Sequence, residues 1–259
     1  MNWYRIKTVL IFLFLAINIF LAALLGIEGL RARQAAKDKV ASAAAALEKN
    51  GISVSCAVPH KTPGLGTLTL ENPKAEPQKL AERILGGKAT RLGDTWRRDG
   101  KTITLPAKGF SYDSGAPSVK PEKKMISKMR MALENMGFAM EFAEGYVGED
   151  EITFVQVVGG VQLFDSVLAV RPAADGTIAR MEGVWAEIIG ETTDRRPIKS
   201  AADALLSFLR EGHTGSTVSE ITCGYAVLLR EAGYRSADAV PVWRVETADK
   251  NVYYYDARQ

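Results

Sequence analysis

From Val9 to Leu25 the chain runs without a charge and with one polar residue, Asn18. Thirteen of those seventeen positions are Val, Leu, Ile or Phe. At roughly −0.3 to −0.6 kcal/mol each, such residues favour insertion by about −4 to −8 kcal/mol before correction for depth. The run is about as long as a helix needs to cross a bilayer, and no other stretch is comparably apolar. The pattern predicts a membrane anchor within residues 1–30. Inside it, Asn18, Ala22 and Gly26 recur at i, i+4 and i+8 on one helix face. Small residues let a second backbone approach, and an amide can hydrogen-bond across the contact for roughly 0.6–2 kcal/mol. These three are the candidate transmembrane-contact residues. The competing reading is a lipid-facing helix in which small residues are incidental. A cleaved signal peptide competes for the whole segment, but its apolar region is expected at about 7–15 residues and ends at a small-residue cleavage site. Ala22-Ala23-Leu24 offers no clean one.

The next pattern, residues 31–50, changes to Ala, Lys, Gln and Glu, all good helix formers. Ala36, Val40, Ala43 and Leu47 recur at helical spacing, and Asn50-Gly51 reads as a stop. This predicts a helical stalk, either a plain spacer or a rigid rod. Residues 51–118 then read as a small membrane-distal α+β unit. Strands are expected at 53–58, 67–71, 95–98 and 101–105, a helix at 77–85, and an edge strand at 109–112. Asp99-Gly100 is a hairpin turn signal. The segment 113–118 reads as a linker.

Residues 119–259 show helix followed by antiparallel meander, twice. The first set is a helix over 121–140 and strands at 151–158, 161–171 and 177–189. The second is a helix capped by Ser200 with Asp203 three residues on, then strands at 219–229, 240–247 and 252–255. The methionine stripe Met125, Met129 and Met136, with Leu133, reads as core. The fold class is α+β: a transmembrane helix and stalk, then helix-plus-antiparallel-sheet units.

Composition narrows the function. The chain has 259 residues and a net charge of +3 with scattered basic residues, which gives no footprint for nucleic acid. Its two cysteines, Cys56 and Cys223, lack metal-ligand spacing. They are either a disulfide or two core thiols. His60 and His213 each stand alone beside Pro or Gly and are expected to be exposed and without function. Gly64-Leu65-Gly66 and Gly159-Gly160 complete no phosphate-binding motif, and Glu149-Asp150-Glu151 lacks the oxygen-ligand loop of an EF-hand. No catalytic, cofactor-binding or metal-ligating residue is predicted, the chain reads as a non-enzyme, and no small-molecule ligand is assigned.

The start of the chain resembles the YycI regulatory proteins, which open M-(D/N)-W-x-(K/R)-x-K-T before an apolar span; the matching residues are Asn2, Trp3, Arg5, Lys7, Thr8 and Asn18. Residues 241–246 (PVWRVE), 253–257 (YYYDA) and the helix start 198–204 are similar to that family's C-terminal pattern, which is shared with YycH-like and PepSY-like domains, so the resemblance implies helix-plus-antiparallel-sheet units of that kind. The resemblance implies a single-pass protein of the Gram-positive cell membrane, its N-terminus cytoplasmic and its body extracytoplasmic. It also implies partnership with a YycH-like protein and with the sensor histidine kinase WalK (YycG) in control of cell-wall metabolism. The alternative is a secreted binding or inhibitor module released by signal cleavage. Lys and Arg flank the span on both sides, so loop charge alone leaves the orientation open.

Overall fold

The computed structural model describes residues 3–106, 109–192, 196–228 and 235–259. Asn2 of the N-terminal motif and Leu229, the expected end of a strand, lie outside the described residues. In chain order the elements are α1 (Trp3–Lys49), β1 (Ser53–Val54), β2 (Gly64–Leu65), β3 (Leu68–Glu71), α2 (Pro77–Leu85), β4 (Thr90–Leu92), β5 (Thr95–Arg98), β6 (Lys101–Thr104) and β7 (Phe110–Asp113). They continue with α3 (Met125–Asn135), β8 (Ala143–Val147), β9 (Ile152–Val158), β10 (Val161–Pro172), β11 (Ile178–Val184), β12 (Glu187–Glu191), β13 (Arg196–Pro197), α4 (Ala201–Arg210), β14 (Thr217–Ala226), β15 (Ser236–Thr247) and β16 (Val252–Asp256). The fold is mixed α+β with a large, mostly antiparallel sheet, as the patterning predicts.

The chain divides into two compact units. The first holds residues through Thr62, Lys199–Ile221 and Val245–Val252; the second holds Pro63–Ile198, Thr222–Arg244 and Tyr253–Gln259.

In the first unit, anchor and stalk are one helix of 47 residues. It ends where the sequence says it should. The Gly51 N–H donates to the Glu48 carbonyl and the Ile52 N–H to the Leu47 carbonyl. Gly51 takes φ +76°, the left-handed conformation that glycine adopts without strain. The predicted stalk face is the one that packs: Ala43 and Leu47 are buried and Ala36 and Val40 half-buried. α1 packs along α4 and β1. α4 carries the expected capping box, with Ser200 and Asp203 satisfying each other's backbone N–H groups, and it buries Ala201, Ala202, Leu205 and Phe208. β1 pairs in parallel with β14, Ser53 opposite Thr217. It is far shorter than the strand expected over 53–58. Pro59 and Pro63 follow closely, and a proline has no N–H to continue a ladder.

In the second unit, among the described residues, eight strands form one antiparallel array in the order β8-β9-β10-β11-β7-β6-β5-β4. The turn between β5 and β6 has Asp99 at φ 49° and Gly100 at φ 78°, the left-handed pair that a tight hairpin needs. Strand β7 is interior, hydrogen-bonded to both β6 and β11; the edge position expected for it is wrong, because β11 comes from distant sequence. α3 is also shorter than the expected 121–140: it begins at Met125 and stops before Gly137, which takes φ 82°. The run expected as one strand over 177–189 breaks between β11 and β12. There the Ala186 N–H donates to the Ser166 hydroxyl and the Ala186 carbonyl accepts from Gln156.

One face of this sheet is covered by α2 and α3. Leu80, Ile84, Trp96, Ile103, Phe110, Met129, Leu133, Phe138, Phe154, Leu168, Met181 and Trp185 form the core between them. The methionine stripe lies as predicted: Met129 is fully buried, with Met125 and Met136 packed at the margin. Each fully buried side chain of this size contributes roughly 1.5–3 kcal/mol, and the two indole N–H groups are satisfied by Gln78 at 2.8 Å and by the Ala139 carbonyl at 3.1 Å.

Candidate functional site

The anchor presents the residues that spacing singles out. Asn18, Ala22 and Gly26 all lie on exposed turns of α1, and the helix passes through them without a break. Successive residues turn about 100°, so the three fall within about 80° of arc. The Asn18 side-chain amide donates to the Phe14 carbonyl at 2.8 Å. That bond satisfies one N–H inside the helix and leaves the amide oxygen to accept from a neighbour. A Cβ placed at Gly26 would meet nothing within 4 Å. Gly29 is equally open and, eleven residues beyond Asn18, projects between Asn18 and Ala22. A step of three residues from Gly26, in place of four, reaches it. From Leu10 to Leu30 the large apolar side chains of α1 are exposed, and the helix is long and apolar enough to cross a membrane.

The other end of α1 is a built joint. Leu47 is fully buried and Ala43 is 2% exposed. One turn nearer the anchor, the Lys39 ammonium meets Asp203 at 2.8 Å. Asp203 therefore serves twice, as the acid of the α4 capping box and as the ionic partner of the stalk. Burial pushes its carboxyl up, but the Lys39 ammonium and the Ser200 donors outweigh that and hold it below the usual carboxylate range. At the far end of α4, His213 stacks on Phe208 with centroids 4.4 Å apart and lies 3.1 Å from a Glu211 oxygen. The full exposure expected of His213 is therefore corrected: a ring on a buried phenylalanine closes the end of the helix. His60 is exposed.

Cys56 and Cys223 are free, half-buried thiols. Burial raises both, Cys223 to about 11. Among the described residues no three His, Cys, Asp or Glu side chains converge as a metal site would require. Glu151 of the acidic turn lies 3.5 Å from Arg171. Tyr254 tilts against Phe164 at 5.8 Å, and Tyr255 on the opposite strand face is buried.

Residues 31–258 match the family described as YycI protein. No curated protein matches. Among solved structures, an uncharacterized protein from Eubacterium rectale ATCC 33656 is similar at 12% identity, covering 80% of this chain and 87% of its own, with a TM-score of 0.38. At that score it carries no argument about function.

Proposed function

The chain belongs to the YycI family, whose members regulate the WalK (YycG) two-component system, and from this premise we propose a single-pass regulator that acts through its anchor. The family is regulatory and is not a family of enzymes. In the proposal, the N-terminus is cytoplasmic and the folded body extracytoplasmic. The face of Asn18, Ala22 and Gly26, extended by Gly29, packs against transmembrane helices of the sensor kinase. The body pairs with a YycH-like protein. The observation that carries the proposal is the continuity of α1: one helix joins the apolar segment to the buried Ala43 and Leu47. A partner bound to the body can thereby bias the anchor without an intervening flexible hinge. A bias of 1–3 kcal/mol on a kinase equilibrium is of ordinary allosteric size.

A photoreactive residue at Asn18 or Ala22, activated in native membranes, tests the contact. Crosslinking to a kinase transmembrane helix is expected, and co-purification with the kinase should be lost when residues 9–25 are exchanged for an unrelated apolar span. Capture that survives the exchange, or none at either position, would reject the anchor contact. A mature protein that starts near residue 25 and is free in the medium would reject retention in the membrane.

A further inference from the structure

The second unit holds a groove of about 720 Å³ on the helix-covered face of its sheet, within the usual range for a small-molecule site. It runs between the flank of α3 and the neighbouring strands β6, β7 and β11, and the turn at Asp175-Gly176 contributes to its lining. Its apolar lining is built from Ile84, Ala132, Met136 and Ile178. Its polar groups are mostly donors. Lys101 opens β6 in the same alternation as buried Ile103, so it points to the helix side. Lys128 and Asn135 lie two turns apart on the α3 flank. Among the described residues, neither lysine and not the asparagine amide has a hydrogen-bonding or ionic partner.

The fourth donor belongs to a mostly buried residue. Tyr112 is 5% exposed and lines the groove. Strand β7 alternates, with Phe110 and Tyr112 buried and Ser111 exposed, so Tyr112 faces the helices while Asp113 on the opposite face pairs with Arg180 at 3.1 Å. Among the described residues nothing hydrogen-bonds to the Tyr112 hydroxyl. The hydroxyl itself keeps some accessible surface, so it is free to donate to an acceptor bound in the groove. The acid on the lining, Asp175, already accepts from the Thr177 N–H at 2.9 Å and its hydroxyl at 2.7 Å, and so serves its own turn.

We propose that this groove binds a small organic anion, with a carboxylate or phosphate head held by Lys101, Lys128 and Tyr112 and a compact apolar body laid on Ile84, Met136 and Ile178. Charge-assisted bonds supply the selectivity for the head. The methionines at the rim, Met131 and Met136, adapt to the body because an unbranched thioether fills irregular space. The site concerns the second unit alone and stands apart from the membrane contact proposed above.

The full chain in zwitterionic nanodiscs, labelled at methionine methyls, tests it by NMR. The probes are 1-naphthyl phosphate and 1-naphthoate, with neutral 1-naphthylmethanol for comparison and empty nanodiscs to subtract partition into lipid. Saturable shifts of the Met131 and Met136 methyls by at least one of the anions are expected, and which one tells whether the donors select phosphate or carboxylate. Affinity should fall at least tenfold in the Lys101→Gln/Lys128→Gln variant and several-fold in Tyr112→Phe, with the buried Met129 methyl unmoved as the check that each variant is folded. Unmoved rim methyls with both anions, equal affinity for the neutral probe, or undiminished binding in the double lysine variant would overturn the proposal.

Discussion

Asp203 concentrates more of the architecture than its position suggests. Its carboxylate accepts from the Ser200 N–H at 3.0 Å, from the Ser200 hydroxyl at 2.7 Å and from Lys39 at 2.8 Å. Removing a cap costs about 0.5–2 kcal/mol, and a partly exposed ion pair adds at most about 1 kcal/mol. Asp203→Ala is therefore expected to lower unfolding stability by about 1–2 kcal/mol, and Lys39→Ala by less than about 1 kcal/mol, both read by chemical denaturation. The sign of the pH dependence follows from the depressed carboxyl. Because the folded state holds the proton less tightly than the unfolded chain, whose ordinary value is 3.8, the contribution is complete above that value. It is lost as pH falls through the lower folded value. The stability gap between the natural protein and Asp203→Asn should stay constant from neutral pH down to about pH 5 and narrow below about pH 4. A gap that widens with acid would contradict the assignment.

The elements show what patterning carries and where it stops. The stalk face Ala36, Val40, Ala43 and Leu47 was legible because a helix repeats its face with a fixed period, and the structure buries that face most deeply at Ala43 and Leu47. The same holds for α2, whose bounds are the predicted 77–85, and for the Ser200–Asp203 cap, since both signals are local. β8 was missed: its sequence Ala143–Val147 has Gly145 at its centre and exposes Tyr146 and Val147, so it does not alternate. The interior place of β7 and the groove beside it were missed for another reason. Both depend on β11, some seventy residues away in sequence, and no local pattern encodes a long-range register. The anchor residues were legible from spacing alone, while the groove donors Lys101, Tyr112 and Lys128 share no motif. The continuity of α1 invites a direct test at this scale. Spin labels at Leu25 and Ala45, both exposed, lie twenty residues apart and should give one narrow distance near about 30 Å. Ala35→Pro, on an exposed turn between them, removes a backbone donor and clashes with the preceding turn. It should broaden that distribution and shift its mean, and an unchanged distance would mean that the helix is not the rigid link that the regulator proposal uses.

At the scale of the whole molecule, the question is where the exposed apolar part of α1 ends and the folded body begins. The large apolar residues from Leu10 to Leu30 are exposed, whereas burial on α1 starts at the half-buried Ala36 and becomes complete at Leu47. The family match begins at residue 31, between those two regimes. Stability of the body should therefore not depend on the anchor. A chain lacking residues 1–30 is expected to leave the membrane fraction and to unfold within about 2 °C of the full chain, because among the described side chains it loses none that is buried. Removing residues 1–49 also strips Ala43 and Leu47 and deprives Asp203 of Lys39. Truncating one buried leucine alone costs about 3–5 kcal/mol, and in a domain of this size each kcal/mol shifts the midpoint by about 2–4 °C. The longer deletion should lower the unfolding temperature by at least about 6 °C. Equal midpoints for the two deletions would make the stalk a passive spacer, and a large loss from the shorter one would place part of the body's stability in the anchor itself.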